Sequence, residues 1–229
     1  MKKLKSNILT LVCALCAAVS LTSCLSDNGN ENTWTPPTAA EKSLACAETS
    51  GIYEGRIYFQ NSSTSKKDSL QFNYSVTDST VVFNAFPVKF LSNYISDTNN
   101  KAVIANAPDA TLKCKNALYS ITKPSSASVG NYYTFSFYPD YTTLKYSYSF
   151  TSEVTDGAGV TTNKKHEVTI QFMSYVSLSG YYYTAASAYY DKRMQANFCI
   201  QQVTVDGAIY SINNAFGMIG KKGGFSEGE

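Results

Sequence analysis

The sequence contains a single histidine, His166, among its 229 residues. A zinc site built from histidine, a histidine general base or a Ser–His–Asp arrangement would each have to use this residue. There is also no His-x-His, His-x-x-x-His or EF-hand spacing, so the sequence predicts no metal site and no cofactor. For His166, which follows two lysines at the start of a predicted strand, we expect an exposed or hydrogen-bonded position at a strand edge.

Charge of one sign and long apolar segments are scarce as well. The 19 Lys and Arg residues nearly balance the 17 Asp and Glu residues, and no basic patch with interleaved aromatic residues is present. This composition argues against a nucleic-acid partner. The apolar stretch at residues 8–21 is too short for a comfortable transmembrane helix and has no stop-transfer flank.

The sequence lacks a convincing catalytic motif. Residues 224–228 match the G-x-S-x-G pattern, but only Glu229 follows them, so no histidine comes after Ser226. Two carboxylates about 5–9 Å apart could hydrolyse a glycoside without histidine, although nothing in the sequence brings two of them together. The candidates for such a pair are Glu54, Asp140, Glu153, Glu167 and Asp191. We assign no catalytic residue and expect no enzymatic activity.

The N-terminus has the organisation of a bacterial lipoprotein leader. Three lysines within the first five residues precede the apolar stretch, and Leu-Thr-Ser-Cys ends it at Cys24. Residues 1–23 are therefore predicted to be a signal peptide. Cys24 would carry a diacylglyceryl group and an N-linked acyl chain such as palmitate, each buried CH₂ contributing about 0.8 kcal/mol to membrane attachment. The alternative is an ordinary signal peptide cut near Ser23, with Cys24 a plain thiol.

A polar segment follows the predicted lipidation site. Residues 24–47 contain few apolar side chains at their start and are predicted to form a flexible tether. Thr38 and Glu41 have the spacing of a capping box, so a short helix is expected to run to about Ala47. The protein would then hang from the outer membrane of the cell envelope, on a face, periplasmic or surface, that the sequence leaves open.

Residues 48–229 are predicted to form one β-rich domain. The chain contains 18 Tyr and 12 Phe residues, which favour strands. Apolar and polar residues alternate around residues 70–76, 133–137, 144–150 and 168–172. This period of two is typical of antiparallel strands with one buried face. We expect nine or ten strands and an all-β fold with one or two short helices, either an antiparallel β-sandwich or a lipocalin-like β-barrel.

Several turns can be recognised. Asp206-Gly207 is typical of a type I′ hairpin, Asp78-Ser79 would reverse the chain between two strands, and residues 156–159 would close a longer hairpin. The first hairpin would pair Val205 with Ala208, Val203 with Tyr210 and Gln201 with Ile212. The apolar phase changes near Cys199, which predicts a β-bulge. Apolar spacing within residues 87–107 predicts a short helix.

Three short motifs carry a resemblance to a known family. Residues 51–58 (GIYEGRIY), 78–83 (DSTVVF) and 86–89 (FPVK) resemble the domain-of-unknown-function 4840 family, with a similarity that would extend from residue 51 to about residue 212. The resemblance implies a lipoprotein of Bacteroidota with a β-rich domain. It implies no catalytic or binding residues, since that family has no established activity.

Three cysteines remain after the predicted lipidation site. Cys46, Cys114 and Cys199 could form one disulfide with one spare thiol, in any of three pairings. Alternatively, Cys114, which shares a strand face with Leu112, is a buried thiol.

A cluster of tyrosines is the main candidate for ligand contact. If exposed, these side chains could stack on sugar rings or on a partner protein. Alternatively, they fill the core and cover outer strand positions. The residues are Tyr181, Tyr182, Tyr183, Tyr189 and Tyr190.

Two Asp-Ser pairs resemble the acceptor used for O-glycosylation of exported proteins in Bacteroidota. They contain Ser69 and Ser79, the second within Asp-Ser-Thr. The alternative is turn chemistry, in which Asp and Ser side chains bond the nearby backbone.

The sequence leaves three functional hypotheses. The first is a non-catalytic envelope lipoprotein that binds a glycan, a peptide or another envelope protein. The second is a lipocalin-like carrier of a small apolar ligand, which requires a hollow core. The third, which we favour least, is a carboxylate-based glycan hydrolase.

Overall fold

The computed structural model describes residues 35–78, 80–122, 131–139, 143–155, 159–178 and 180–226. The predicted leader, Cys24 and the first part of the predicted tether, up to residue 34, lie outside these residues. Within them, no helix combines the length and apolar character needed to cross a membrane.

Strands dominate the chain, and the predicted all-β class is confirmed. The elements are α1 (Ala39–Thr49), β1 (Gly51–Gln60), β2 (Lys67–Thr77), β3 (Thr80–Phe86), a 3-10 helix (Val88–Tyr94), α2 (Thr98–Ala105), β4 (Ala110–Thr122), β5 (Tyr132–Pro139), β6 (Lys145–Thr155), β7 (Thr161–Phe172), β8 (Tyr175–Leu178), β9 (Tyr181–Thr184), β10 (Ala186–Tyr190), β11 (Arg193–Val205) and β12 (Ala208–Lys222). The expected nine or ten strands were too few. The short strands β8, β9 and β10 span only four or five residues each, which is too short for a period of two to be recognised.

Ten strands form one large sheet in the order β10-β5-β4-β3-β2-β1-β12-β11-β7-β6, while β8 and β9 form a separate hairpin. Because β10 pairs with both β5 and β11, eight of the ten strands close into a ring, and β7 and β6 extend the sheet outside it. The strand pairings of this sheet are antiparallel throughout the described residues. The sheet is therefore not a clean barrel, and it is consistent with the predicted sandwich-like class.

Strand β11 is the branch point of the sheet. Its first residues, 193–196, pair with β10, and its last residues, 200–205, pair with β7. The pairing shifts register between Ile200 and Gln202, which confirms the predicted bulge. The same bulge makes the predicted pairing of Gln201 with Ile212 wrong, because Gln202 pairs with Ser211 and Ile200 with Asn214.

The turn chemistry agrees with the sequence. Asp206 and Gly207 have φ values of 49° and 86°, as a type I′ turn requires, and Val205 pairs with Ala208. Thr77 pairs with Thr80 around the predicted turn at residue 78. The Thr38 side chain and Glu41 form the predicted capping box at the start of α1. Residues 87–107 contain two short helices rather than one, the 3-10 helix and α2.

Aromatic side chains fill the interior. The Phe198 ring lies 5.1 Å from the rings of both Phe86 and Phe137 and 5.4 Å from that of Phe83, measured between centroids. The 3-10 helix adds Phe90, whose ring is 4.9 Å from that of Phe216 on β12. Edge-to-face contacts of this kind stabilise a core beyond the burial of area alone. The ring of strands thus encloses packed side chains.

Candidate functional site

The β8–β9 hairpin presents the most exposed aromatic surface of the described residues. Tyr175, Tyr181 and Tyr182 are 54%, 67% and 61% exposed. The rings of Tyr175 and Tyr182 lie 6.2 Å apart, on the same side of the two strands. We refer to residues 175–184 as the tyrosine hairpin. A cluster of exposed aromatic side chains is typical of a surface that binds a partner or a ligand.

The other side of the tyrosine hairpin packs against the sheet. Val176 is buried and pairs with the half-buried Tyr183. The Tyr183 carbonyl accepts a hydrogen bond from the Cys199 thiol of β11 at 3.4 Å, and the Ala185 N–H donates to the Ser174 carbonyl at 2.8 Å to close the base of the hairpin. The hairpin that carries the exposed tyrosines is therefore held against the sheet.

A cleft adjoins the tyrosine hairpin at Tyr183. Its volume is about 380 Å³, and its walls come from β1, β2, β9, β11, β12 and the 3-10 helix. We call it the aromatic cleft, because five of its lining residues are aromatic. The side chains that matter for its chemistry are those of Tyr58, Gln60, Tyr94, Tyr183, Asn197 and Asn214.

Tyr94 joins two walls of the aromatic cleft. Its hydroxyl accepts a hydrogen bond from the Gln60 N–H at 3.3 Å, and its ring lies edge-on to Phe216 at 5.2 Å. Burial raises the pKa of Tyr94, although the hydrogen bonds from Gln60 and Asn214 act in the opposite direction. The phenol consequently stays neutral near pH 7 and keeps a proton to donate.

A second cleft, of about 350 Å³, lies beside the base of the tyrosine hairpin. Its lining includes Tyr119 of β4, Tyr138 of β5 and Thr184 of β9, with small side chains between them. The tyrosine hairpin thus contributes residues to two clefts. The aromatic cleft contains more amide side chains than the second cleft.

The other two candidate tyrosines lie away from the tyrosine hairpin. Tyr189 on β10 is buried, with its ring 6.1 Å from that of Tyr133. Tyr190 is half-buried and stacks on Tyr132 at 4.2 Å with an angle of 7° between the rings. The structure therefore separates the five candidates: Tyr181, Tyr182 and Tyr183 belong to the hairpin, and β10 carries the other two as packing residues.

His166 has a different environment from the one expected. It is 1% exposed and lies on β7, which is flanked by β6 and β11 and is not an edge strand. Its Nδ1 lies 2.8 Å from Asp206 Oδ2 and its Nε2 lies 3.1 Å from Ser152 Oγ. The expectation of hydrogen bonding was correct, whereas exposure at a strand edge was wrong because β6 covers that side.

The model of the family described as a domain of unknown function, DUF4840, matches residues 48–205. The chain belongs to the DUF4840 family. No curated protein and no solved structure matches it significantly. The resemblance drawn from three short motifs is thereby confirmed.

The DUF4840 match ends at the last residue of β11, so it includes the tyrosine hairpin but not β12. Strand β12 nevertheless pairs with β1 on one side and β11 on the other, and it closes the ring. It also supplies Asn214 and Phe216 to the aromatic cleft. The folded unit of this DUF4840 protein is therefore longer than the matched segment.

The remaining polar candidates of this DUF4840 protein are dispersed. Ser69 is exposed on β2, and its N–H donates to Asp68 Oδ1 at 2.8 Å, whereas Ser79 and Asp140 lie outside the described residues. Glu54 on β1 accepts a hydrogen bond from the Phe225 N–H at 3.4 Å. Asp191 lies in the turn between β10 and β11.

Glu153 and Glu167 are on neighbouring strands but not in contact. Glu153 pairs with Asn163, and Glu167 pairs with Ser149, which precedes Glu153 by four residues on β6. At about 3.3 Å per residue their backbones are about 13 Å apart, beyond the separation used by glycosidases. No group of three or more potential metal ligands occurs among the residues that the structure describes.

Cys46, Cys114 and Cys199 are thiols in the structure. Cys114 and Cys199 are buried in the sheet, in agreement with the alternative of a buried thiol at Cys114. Cys46 on α1 is half-buried, and burial followed by the nearby Asp78 carboxylate raises the pKa of its thiol.

The contacts of His166 with Ser152 and Asp206 were not predicted from the sequence. Asp206 was assigned only to a turn, and Ser152 was not singled out. The pairing of β7 with β11, which places Val168 opposite Val205, brings the β11–β12 turn beside His166. A strand register of this kind depends on residues far apart in the chain, which a local pattern does not contain.

We expect Asp206 to contribute pH-dependent stability. Burial by itself raises the pKa of Asp206, but hydrogen bonds from the Glu167 N–H, His166 and Lys164 outweigh it, so the pKa lies below its usual value. The stabilisation is therefore present above about pH 4, the unfolded value, and is lost as the pH falls through the lower folded pKa. Urea denaturation between pH 2 and pH 5 should show the advantage of wild type over Asp206→Asn shrinking with falling pH. A constant difference would contradict this assignment.

Proposed function

We propose that this DUF4840 protein is a lipid-anchored protein of the bacterial outer membrane that binds a glycan through the tyrosine hairpin and the aromatic cleft. The observation that carries the proposal is the exposure of Tyr175, Tyr181 and Tyr182 beside a cleft lined by tyrosines and amides. Such a surface can bind a ligand without any catalytic group.

The chemistry of the surface suits a carbohydrate. The faces of sugar rings expose C–H groups, which pack favourably on the electron-rich face of an aromatic ring. Sugar hydroxyls need donors and acceptors, and an amide side chain provides both. Asn197 and Asn214 lie in the same cleft as Tyr94 and Tyr183. The aromatic cleft therefore offers aromatic rings and amide groups to the same ligand.

The interior favours this function over transport of an apolar ligand. Phe83, Phe86 and Phe198 lie at the centre of the sheet with ring centroids 5.1–6.0 Å apart, in the space that a carried ligand would need. The aromatic cleft, in contrast, is lined partly by amides and a lysine, which suits a polar ligand.

Mutation of the tyrosine hairpin should abolish most glycan binding. Changing Tyr175→Ala and Tyr182→Ala together removes two stacking surfaces and should weaken binding at least tenfold, or about 1.4 kcal/mol. Wild type and variant are compared on an array of neutral oligosaccharides, including maltoheptaose, cellohexaose, chitohexaose and mannan. The best probe is then titrated by calorimetry.

Ile209→Ala is the matched control, because Ile209 is 63% exposed but lies on β12 next to the β11–β12 turn. It should bind as wild type does. Equal binding by the tyrosine variant and the control would contradict the proposed surface. If the protein binds no oligosaccharide but crosslinks to an envelope protein in intact cells through the hairpin, the glycan proposal is wrong. The ligand of this surface would then be a protein.

Lipid attachment at Cys24 should decide where the protein resides. In the Cys24→Ser variant the thioether cannot form, so the product should move from the detergent-soluble membrane fraction to the aqueous fraction. The Cys46→Ser variant, which changes a thiol on α1, should remain with the membrane. Intact mass of wild type should correspond to a chain that starts at residue 24 and carries lipid. An unlipidated wild-type chain, or an unchanged distribution of Cys24→Ser, would contradict the anchor.

A further inference from the structure

Ser152, His166 and Asp206 form a continuous hydrogen-bonded chain. Ser152 lies on β6, His166 on the adjacent β7 and Asp206 in the β11–β12 turn. Ser152 Oγ is 3.1 Å from His166 Nε2, and His166 Nδ1 is 2.8 Å from Asp206 Oδ2. This is the connectivity of a serine nucleophile, a general base and a carboxylate that orients the base, which is recognised by geometry rather than by order in the sequence.

The carboxylate determines the tautomer of the histidine. Asp206 Oδ1 accepts the Glu167 N–H at 2.9 Å, which holds the carboxylate in place, while Oδ2 faces His166 and lies 3.4 Å from Lys164 Nζ. An ionised carboxylate can only accept hydrogen bonds, so the proton of a neutral imidazole must be on Nδ1. His166 Nε2 then carries the lone pair and can accept the proton of the Ser152 hydroxyl.

The serine lies at an accessible edge of the sheet. Ser152 is half-buried, whereas His166 is 1% exposed. Strand β6 is the outermost strand in the sheet order and pairs only with β7 within the described part of the chain. A substrate could therefore approach Ser152 from the side of β6 that faces away from β7.

The strand register also provides a backbone donor next to the serine. The Phe172 N–H donates to the Leu144 carbonyl at 2.8 Å, and the β6–β7 register continues without a shift from residue 145 to residue 155. Hydrogen-bonded and non-hydrogen-bonded pairs alternate along an antiparallel ladder. Leu144 and Phe172 form a hydrogen-bonded pair, and Ser152 and Lys164 lie an even number of residues further along, so they form one too. The N–H of Glu153, the next residue, therefore points away from β7. The N–H of the residue after the nucleophile is one of the donors that stabilise an oxyanion in serine hydrolases.

We propose that Ser152 is a nucleophile for small activated carboxylic esters, with His166 as its general base and Asp206 as a positioning residue. Ser152 Oγ forms a bond to the ester carbonyl carbon, and its proton passes to His166 Nε2. The alcohol leaves with that proton as its C–O bond breaks. Water then attacks the acyl-serine with the help of the same imidazole, which releases the carboxylic acid and restores the serine. This site does not depend on the glycan-binding surface.

A fluorophosphonate probe tests the nucleophile directly on the intact chain. Ser152 Oγ should displace fluoride from phosphorus, and the serine proton should pass to His166. Peptide mass spectrometry should find the adduct on Ser152. The Ser152→Ala variant should lose the adduct, and Asp206→Asn should lower the labelling rate at least tenfold. Ser147→Ala is the matched control on the same strand, since Ser147 Oγ bonds Thr169 Oγ1 at 2.7 Å instead of a histidine, and it should label as wild type does.

A second measurement separates catalysis from a purely structural role. With p-nitrophenyl acetate, wild type should release a burst of about one p-nitrophenol per chain as the acyl-serine forms, and Ser152→Ala should release none. Absence of the adduct from Ser152 in the wild-type protein would overturn the proposal, whatever the folding of the variants. A labelling rate that Asp206→Asn leaves unchanged, in a variant with a native near-ultraviolet circular dichroism spectrum, would overturn the assigned role of Asp206.

Discussion

Replacing Gly220 with alanine should lower the free energy of unfolding by about 3 kcal/mol, the upper end of the usual cost of overpacking. Gly220 on β12 pairs with Gly55 on β1, and the Tyr74 ring lies across both glycines. A Cβ added at Gly220 would collide with the Tyr74 hydroxyl and lie 2.6 Å from its Cζ. Tyr74 is 2% exposed and stacks on Tyr53 with ring centroids 5.1 Å apart, so its ring has no room to move away.

The same strand supplies a control for the Gly220 substitution. A Cβ added at Gly217 would meet no atom of the described residues within 4 Å, so Gly217→Ala should change the free energy of unfolding by less than about 0.5 kcal/mol. Tyr74→Phe removes a buried hydroxyl that has no hydrogen-bond partner among the described residues, and should recover part of the loss when combined with Gly220→Ala. Urea denaturation of the four variants measures these differences. Equal stabilities of Gly220→Ala and Gly217→Ala would contradict the packing described.

Replacing Phe198 with alanine should cost about 3–5 kcal/mol of unfolding free energy, the usual range for a buried phenylalanine. The Phe198 ring contacts Phe83, Phe86, Phe137 and Phe172, with centroid distances of 5.1–6.5 Å. These neighbours come from β3, β5 and β7, so a cavity at Phe198 would weaken the packing between strands that do not pair with each other. Such a cavity can collapse only by moving several strands, which the rest of the sheet resists.

The control for the Phe198 substitution is Tyr182→Ala on the tyrosine hairpin. Because Tyr182 is 61% exposed, its removal should change the free energy of unfolding by less than about 0.5 kcal/mol. Urea denaturation followed by tyrosine fluorescence measures both variants. A Phe198→Ala variant that is as stable as Tyr182→Ala would show that the centre of the sheet is less densely packed than described here.

Local patterns in the sequence predicted much of the fold. Alternation of apolar and polar residues predicted β2, β5, β6 and β7, and the Asp206-Gly207 pair predicted the turn between β11 and β12. Thr38 and Glu41 predicted the start of α1. These features depend on neighbours in the chain, so a local pattern contains them. The closure of the ring does not, because the pairing of β1 with β12 joins residues more than 160 positions apart.

The candidate sites were predicted less well than the fold, and for a physical reason. The five tyrosines look alike in sequence, but Tyr181 and Tyr182 are exposed on opposite faces of a short hairpin while Tyr189 faces the core. Similarly, the environment of His166 is set by the register of three strands. Composition can identify the residue types that a site uses, whereas tertiary contacts decide which of them meet.

The most direct test of the proposed contact surface is hydrogen–deuterium exchange of wild-type protein with and without the best-binding oligosaccharide from the array. We expect the ligand to slow exchange in residues 175–184 and in the segments of β1 and β12 that line the aromatic cleft, with little change in β6 and β7. Protection confined to strands β4 and β5, at the second cleft, or uniform protection without a local maximum, would contradict it.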